Sequence, residues 1–205
     1  TPTAVPTAEP TTTPTPKTSV QATAEPTVTP TPTVSSVAGD TFTQDDWEYE
    51  VLSETEVSIS KYNGENTTVD IPNEVLNDGQ EYTVIKIGEN AFSNCANITN
   101  VNFPESLVTI GENAFSNCVS LQSIDLPKNL KTLEHNAFYN CTKLGTVKIN
   151  SDLENITGNS NWRSPFLRGD GYGSSAKMTV IFGNGVTRVA AYLFSGGSAK
   201  VTEVH

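Results

Sequence analysis

The chain has 205 residues and a net charge of -11 at pH 7. This acidity disfavours nucleic acid and anionic membrane as partners, because both reward clustered lysine and arginine. We interpret the acidic side chains as a source of solubility rather than as a site, and no segment predicts insertion into a membrane.

The first forty residues, 1–40, are predicted to form a disordered Thr/Pro-rich linker. Residues 1–36 hold eight of the twelve prolines and thirteen threonines, with almost no large apolar side chain. Such a segment buries too little surface to offset the entropy of ordering it, and it favours extended polyproline conformations. At roughly 3.1 Å per residue, the linker could hold a folded module up to about 100 Å from its neighbour.

Residues 41–86 are predicted to contain short β-strands and a turn. Apolar residues alternate with polar ones from Val57 to Tyr62, and a second short run contains Val69 and Ile71. This alternation predicts strands with one buried face. Asn63-Gly64, between the two runs, is a turn signal.

Residues 87–205 are built on a repeat with a period of 23 residues. The string Ile-Gly-Glu-Asn-Ala-Phe-Ser-Asn-Cys begins at residue 87 and again at residue 110, and a looser copy begins at residue 133. A fixed period of this length is typical of stacked solenoids, in which each coil buries its apolar face against its neighbours. The copies predict a buried ladder of aromatic rings, formed by Phe92, Phe115 and Phe138.

The repeat resembles the BspA-like class of leucine-rich repeats. Its pattern is Ile-Gly-x-x-Ala-Phe-x-x-Cys-x-x-Leu-x-x-Ile-x-Leu-Pro-x-x-Leu, which residues 110–132 match almost position by position. The resemblance implies a mainly β repeat solenoid, a right-handed α/β or β superhelix with a parallel strand on one side of each coil. A turn of helix or a second extended segment would form the other side. Arrays of this class often begin with a hairpin and a first coil, so the resemblance implies that residues 41–86 form a β-hairpin cap and the first coil. It also implies a bacterial surface or secreted protein, with adhesion as the usual role.

The array becomes irregular beyond residue 156. Val147 and Val180 occupy equivalent strand positions but lie 33 residues apart, ten more than one period. Residues 157–178 are therefore assigned as an irregular insertion. The last coil begins at Val201 and is truncated, which predicts that the sequence is a piece of a longer chain.

Two groups of residues are candidates for contact with a partner. The insertion contains a tripeptide that resembles the integrin-binding sequence of adhesive proteins and two nearby aromatic residues; these are Arg168, Gly169, Asp170, Trp162 and Tyr172. The alternatives are a loop that merely contains the tripeptide, and aromatic rings that belong to the core. The exposed strand positions supply the second group, Asn102, Asp125 and Lys148. Without aromatic anchors, these positions predict weak binding per unit area.

Cys95, Cys118 and Cys141 are separated by the repeat period and are predicted to be buried free thiols. Neighbouring strands lie about 4.7 to 4.9 Å apart with parallel side chains, whereas a disulfide needs Cβ atoms about 3.8 Å apart and converging. Zinc would need a fourth ligand and a CxxC-like spacing. Two series of asparagines with the same period are expected to bond turn backbone, namely Asn90, Asn113 and Asn136, and Asn94, Asn117 and Asn140.

The sequence predicts no catalytic, cofactor or metal site. The histidines are His135, within a repeat, and His205, at the end, and neither accompanies a nucleophile and an orienting carboxylate. We predict a monomeric, non-catalytic interaction module. The family resemblance implies that it is extracellular or on the cell surface and that it binds a protein on a host or neighbouring cell. The alternative is an accessory spacer or binding module of a multidomain secreted enzyme, for example a carbohydrate-degrading one.

Overall fold

The computed structural model describes residues 37–156, 164–166, 177–190, 193–194 and 200–204. Most of the predicted linker 1–40 lies outside this part. The described residues form strands and turns and contain no helix, so none of them belongs to a helix that could cross a membrane. The strands are β1 (Thr41–Gln44), β2 (Trp47–Val51), β3 (Glu56–Tyr62), β4 (Thr68–Asp70), β5 (Glu74–Asn77), β6 (Gln80–Ile87), β7 (Asn100–Asn102), β8 (Thr109–Ile110), β9 (Ser123–Leu126), β10 (Thr132–Leu133), β11 (Thr146–Ile149), β12 (Asn155–Ile156), β13 (Lys177–Phe182) and β14 (Lys200–Val204).

These strands form two sheets, and the repeated chain alternates between them. The first sheet has the order β1-β2-β3-β6-β8-β10-β12, with β5 beside β6, and the second has the order β14-β13-β11-β9-β7-β4. All pairings in the second sheet are parallel. Successive coils keep the 23-residue register in both sheets, as in the pairing of Thr109 with Thr132 and of Ile124 with Val147. The second side of each coil is thus an extended segment, and the fold is mainly β.

The N-terminal cap is a three-stranded antiparallel meander, β1-β2-β3, whose last strand pairs in parallel with β6. Its first turn places Asp45 at a φ of 52°, and the β5-β6 hairpin turns at Asp78 and Gly79, with φ of 50° and 84°. Asn63-Gly64 closes no hairpin, because β3 and β4 on either side of it belong to different sheets. The turn predicted there from local sequence is instead a crossing between sheets.

Acidic residues are concentrated in the cap and not scattered evenly. Residues 37–90 contain thirteen acidic and two basic residues, whereas residues 91–205 contain eight acidic and nine basic ones. The repeats are therefore close to neutral, and the net charge of the chain comes mainly from the segment that precedes them.

The predicted phenylalanine ladder is confirmed. The rings of Phe92 and Phe115 stack with centroids 4.6 Å apart, and those of Phe115 and Phe138 stack 5.2 Å apart. The turns that carry them are also joined by backbone bonds, since the N–H of Phe92 donates to Ala114 O and that of Phe115 to Ala137 O, both at 2.7 Å. Ring stacking of this kind adds about 0.5 to 1.5 kcal/mol per pair beyond area burial.

The ladder continues through the irregular part of the array. Phe166 stacks on Phe138 at 5.3 Å and on Phe194 at 5.2 Å. Phe166 lies 28 residues after Phe138, five more than the period, and 14 residues before Val180, where regular coils have nine. The predicted insertion 157–178 is therefore not one continuous loop. Five extra residues precede Phe166 and five follow it, and Phe166 itself lies in the ring stack.

The two series of asparagines lie in the turns with left-handed backbone. Their φ values fall between 53° and 65°, a region that asparagine tolerates better than most residues. Asn117 Nδ2 donates to Asn94 Oδ1 at 3.1 Å, and Asn140 Nδ2 donates to Asn117 Oδ1 at 2.8 Å. These amides bond one another from coil to coil, so the predicted bonding to turn backbone was wrong for this series.

Burial of the cysteines is confirmed for two of the three. Cys118 and Cys141 are buried, and their Sγ atoms donate to the carbonyl oxygens of Phe92 and Phe115, each at 3.2 Å. Cys95 is only half-buried. On the cap side, Tyr62 stacks on Phe92 and comes 30 residues before it, whereas successive ladder rings are 23 residues apart. The chain in the cap therefore does not follow the course of a regular coil, which covers Cys118 and Cys141.

Cys95 is expected to react with a maleimide before Cys118 and Cys141 do. Burial raises the pKa of both the Cys95 and the Cys118 thiol, and a raised pKa leaves little thiolate at neutral pH. Mass spectrometry should therefore show slow addition of one label to the native protein, faster as pH rises, and three labels only after denaturation. Simultaneous labelling of all three native thiols would contradict the burial of the later two.

Candidate functional site

The outer face of the second sheet carries polar side chains in two rows. Along β9, Ile124 and Leu126 are buried, whereas Ser123 and Asp125 between them face outward. This alternation follows from the pleat of a strand, in which successive side chains point to opposite faces. Because the strands are parallel and in register, outward residues of neighbouring coils lie side by side.

The first row contains small hydroxyl and amide side chains, and the second contains most of the charges. The first row is Thr68, Asn100, Ser123, Thr146 and Thr179. The second row is Asp70, Asn102, Asp125, Lys148 and Ile181. The three candidate residues of the strand face thus lie in one row on three neighbouring strands, as the repeat period predicted.

Side chains of the second row are bonded to each other. Asn102 Nδ2 donates to Asp70 Oδ1 at 2.6 Å. Lys148 Nζ lies 3.0 Å from Asp125 Oδ2 in an ion pair whose members are 42% and 59% exposed. An exposed pair of this kind contributes only about 0.2 to 1 kcal/mol to stability. Each charged group faces an opposite charge on the neighbouring strand.

A cleft of about 520 Å³ opens on this face beside the carboxyl ends of the strands. Its lining includes the three candidates, Asn102, Asp125 and Lys148, and also Phe103, Asn150 and Asn184, which the sequence did not single out. Asn150 could have been noticed, because it stands directly after its strand where Pro104 and Pro127 follow the two preceding strands. No sequence pattern pointed to Asn184.

Asn150 is fixed by contacts on both sides. Its Nδ2 donates to Leu126 O at 2.7 Å and also to Asp125 Oδ1. On the opposite side, a Cβ at Gly183 would lie 2.3 Å from Asn150 Oδ1. A glycine at 183 therefore leaves room for the amide, which in turn orients the Asp125 carboxylate.

The loop candidates Trp162, Arg168, Gly169, Asp170 and Tyr172 lie outside the described residues. The strand-face group, Asn102, Asp125 and Lys148, is the group of candidates that falls within the described residues. Whether the Arg168-Gly169-Asp170 tripeptide contributes to binding stays a prediction.

In the described part, the groups with displaced pKa values are not among the residues that line the cleft. Burial, together with the charge of Asp45, raises the pKa of Tyr49 to about 12. Hydrogen bonds from Thr187 and from the Arg188 N–H lower the pKa of Asp152, whose carboxylate ties residues 187 and 188 to the preceding coil. Within the same described part, no three His, Cys, Asp or Glu residues are placed to hold a metal ion. The cleft offers hydrogen bonds and paired charges.

The fold and its repeated polar face define a leucine-rich repeat protein. Residues 77–164 match the BspA type leucine rich repeat region in six copies. A leucine-rich repeat protein from Bacteroides capillosus is 32% identical, with a TM-score of 0.55, and the alignment covers 62% of this chain and 94% of that one. The chain therefore belongs to the BspA-type leucine-rich repeat family.

Two further crystal structures share the fold. The Treponema pallidum leucine-rich repeat protein is 26% identical with a TM-score of 0.55, over 69% of this chain and 60% of that one. A leucine rich cell surface protein from Faecalibacterium prausnitzii is 22% identical with a TM-score of 0.53, over 80% of this chain and 50% of that one. The present chain thus spans about half to three fifths of these two proteins. No curated protein matches it.

Proposed function

We propose that the chain is a non-catalytic interaction module of a bacterial cell-surface or secreted protein, and that the outer face of its second sheet binds a protein on a host or neighbouring cell. The single observation that supports this most is the pair of outward polar rows on parallel strands in register. The F. prausnitzii protein of similar fold is described as a cell surface protein. Adhesion is the role that best fits such a module.

The proposal includes the division of the chain into functional parts. Residues 1–40 serve as a linker, residues 41–86 as cap and first coil, and residues 87–205 as the repeat array, which acts as a monomer. The constant 23-residue register supports a right-handed solenoid for the array. An accessory module of a secreted multidomain enzyme would use the same face, and the Thr/Pro-rich segment is equally consistent with that setting.

Large side chains introduced in the first row should abolish partner binding. The biotinylated chain would be tested on an array of extracellular matrix proteins and on whole host cells. Ser123→Arg and Thr146→Arg are expected to reduce binding at least about tenfold, because each inserts a bulky charge into the centre of the face. Thr132→Arg, on a strand of the first sheet, is the matched control and should bind normally.

The result would contradict the proposal if the control lost binding as strongly as the two face variants while all three kept the melting temperature of the parent chain. Asp170→Glu, tested in parallel, addresses the loop candidate, since it keeps the charge but changes its reach. Loss of attachment in that variant alone would move the binding site from the strand face to the Arg168-Gly169-Asp170 loop.

A further inference from the structure

The cleft on the second sheet is suited in size to a small polar group. Its volume of about 520 Å³ lies within the range of roughly 300 to 1,000 Å³ found for small-molecule sites. It is open on one side, so a residue at the end or along the side of a longer ligand can enter. Because it opens on the candidate binding face, an occupant would contribute to binding on that face.

Charges in the cleft are balanced. Asp125 is paired with Lys148 at 3.0 Å, and Glu105 is paired with Lys128 at 3.9 Å. The repeats around them hold nearly equal numbers of acidic and basic residues. An anion entering this cleft would compete with the carboxylates for the lysines, and a cation would compete with the lysines for the carboxylates. The electrostatics therefore favour a neutral ligand.

The polar groups of the cleft are held in position and still have hydrogen-bonding capacity. Asp125 accepts from Lys148 through Oδ2 and from Asn150 through Oδ1, and each carboxylate oxygen can accept a second bond. The ammonium group of Lys148 has three donors, of which one is used towards Asp125. Asn150, which is contacted on both sides, would lose little conformational entropy when a ligand binds.

Apolar residues also line the cleft, namely Val101, Phe103 and Pro127. Phe103, which lines it, packs edge-on against Phe115 with centroids 5.7 Å apart and an interplanar angle of 85°. The ladder therefore fixes its orientation. An apolar surface beside planar amide and carboxylate groups matches the chemistry of a sugar, in which C–H groups lie next to hydroxyls that both donate and accept.

We propose that this cleft binds a neutral sugar unit of a glycan. The inference rests on the proposed function, since it takes the outer face of the second sheet as the binding surface, and it adds the chemical class of ligand recognised there. A plain peptide fits less well, because the strands around the cleft already pair on both sides and offer no edge for an added strand. The site would recognise a glycan carried by the partner.

The test uses the full chain and three neutral oligosaccharides, mannohexaose, cellohexaose and N-acetylchitohexaose, with hexagalacturonate and a glucosamine hexamer as charged comparisons. At least one neutral oligosaccharide is expected to bind with a Kd on the order of 1 mM or lower. Its affinity should change little between about 0.05 and about 0.5 M NaCl, because screening weakens ionic contacts and not neutral ones. NMR should show shifts of the side-chain amide signals of Asn102, Asn150 and Asn184.

Variants locate the site. Asn184→Ala and Asp125→Ala are expected to weaken binding about tenfold or more, whereas Asn155→Ala, an exposed asparagine of the first sheet, should leave it unchanged. Absence of binding by every neutral oligosaccharide would overturn the proposal, as would tighter, salt-sensitive binding of a charged one. Shifts confined to residues outside the cleft would also overturn it. In any of these cases, loss of protein binding in Ser123→Arg would show that the proposed function holds without a glycan.

Discussion

Phe115→Ala is expected to lower the free energy of unfolding by roughly 3 to 5 kcal/mol. The ring is fully buried, with 0% of its surface exposed, and it stacks between Phe92 and Phe138 while Phe103 meets it edge-on. Its removal therefore leaves a cavity in the centre of the ladder, lined on several sides by other rings. Backbone hydrogen bonds between the coils, such as that from Phe92 N–H to Ala114 O, restrict the collapse of this cavity. A loss of this size is a large share of the roughly 5 to 15 kcal/mol typical of a domain.

Urea unfolding followed by circular dichroism would measure this loss. Leu76→Ala is a suitable control, because that side chain is 61% exposed in the cap and should change stability by no more than about 0.5 kcal/mol. A Phe115→Ala variant as stable as the Leu76 control would show that the ladder does not hold the coils together.

The ladder was predictable from the sequence because the residues that form it recur at a constant spacing. Each of Phe92, Phe115 and Phe138 occupies the same position in a copy of one string, so the period alone placed them against each other. The same argument put Asn102, Asp125 and Lys148 on neighbouring strands. Where every coil has the same length, the spacing in sequence becomes the spacing in space.

The features that were not predictable from the sequence lie where the neighbouring segment is not a copy of the repeat. Cys95 was expected to be buried like its later counterparts, but the cap that precedes it follows a different path from a regular coil. Asn63-Gly64 has the local chemistry of a tight hairpin turn, yet the strands on either side pair in separate sheets. Tertiary pairing decided both cases, and local propensity could not.

The polar lining of the cleft includes a residue that departs from the repeat pattern. Asn150 replaces a proline that ends two earlier strands, and its amide, unlike proline, can donate to the neighbouring strand end. Only the three-dimensional pairing showed that this amide also reaches Asp125, because the two residues are 25 positions apart and do not occupy the same column of the repeat. Substitutions within a repeat are thus where its specific chemistry was hardest to predict.

Gly111→Ala is expected to cost about 1 to 3 kcal/mol, although it adds only a methyl group. A Cβ at this position would lie 2.9 Å from the carbonyl carbon of Gly88 and 3.0 Å from the backbone nitrogen of Glu89. These atoms belong to the backbone of the preceding coil, so they cannot move away by a change of rotamer. The two coils would have to separate where Gly111 N donates to Ile87 O at 2.9 Å.

Gly145→Ala provides the matched control for this substitution. Its Cβ would meet nothing closer than backbone oxygens at 3.9 Å, which is ordinary contact, and the loss of chain entropy in the unfolded state should make the change neutral or slightly stabilising. The third copy carries Glu134 at the position equivalent to Gly111, and its Oε2 accepts from the N–H of Glu112 at 3.0 Å. That bond joins the third coil to the second. Its favourable energy offsets the cost of fitting a side chain between the two coils. Thermal unfolding would compare the melting temperatures of the two variants. Equal values would show that the coils can separate at residue 111 without such a bond, and that the close approach of Gly88 and Gly111 contributes nothing to stability.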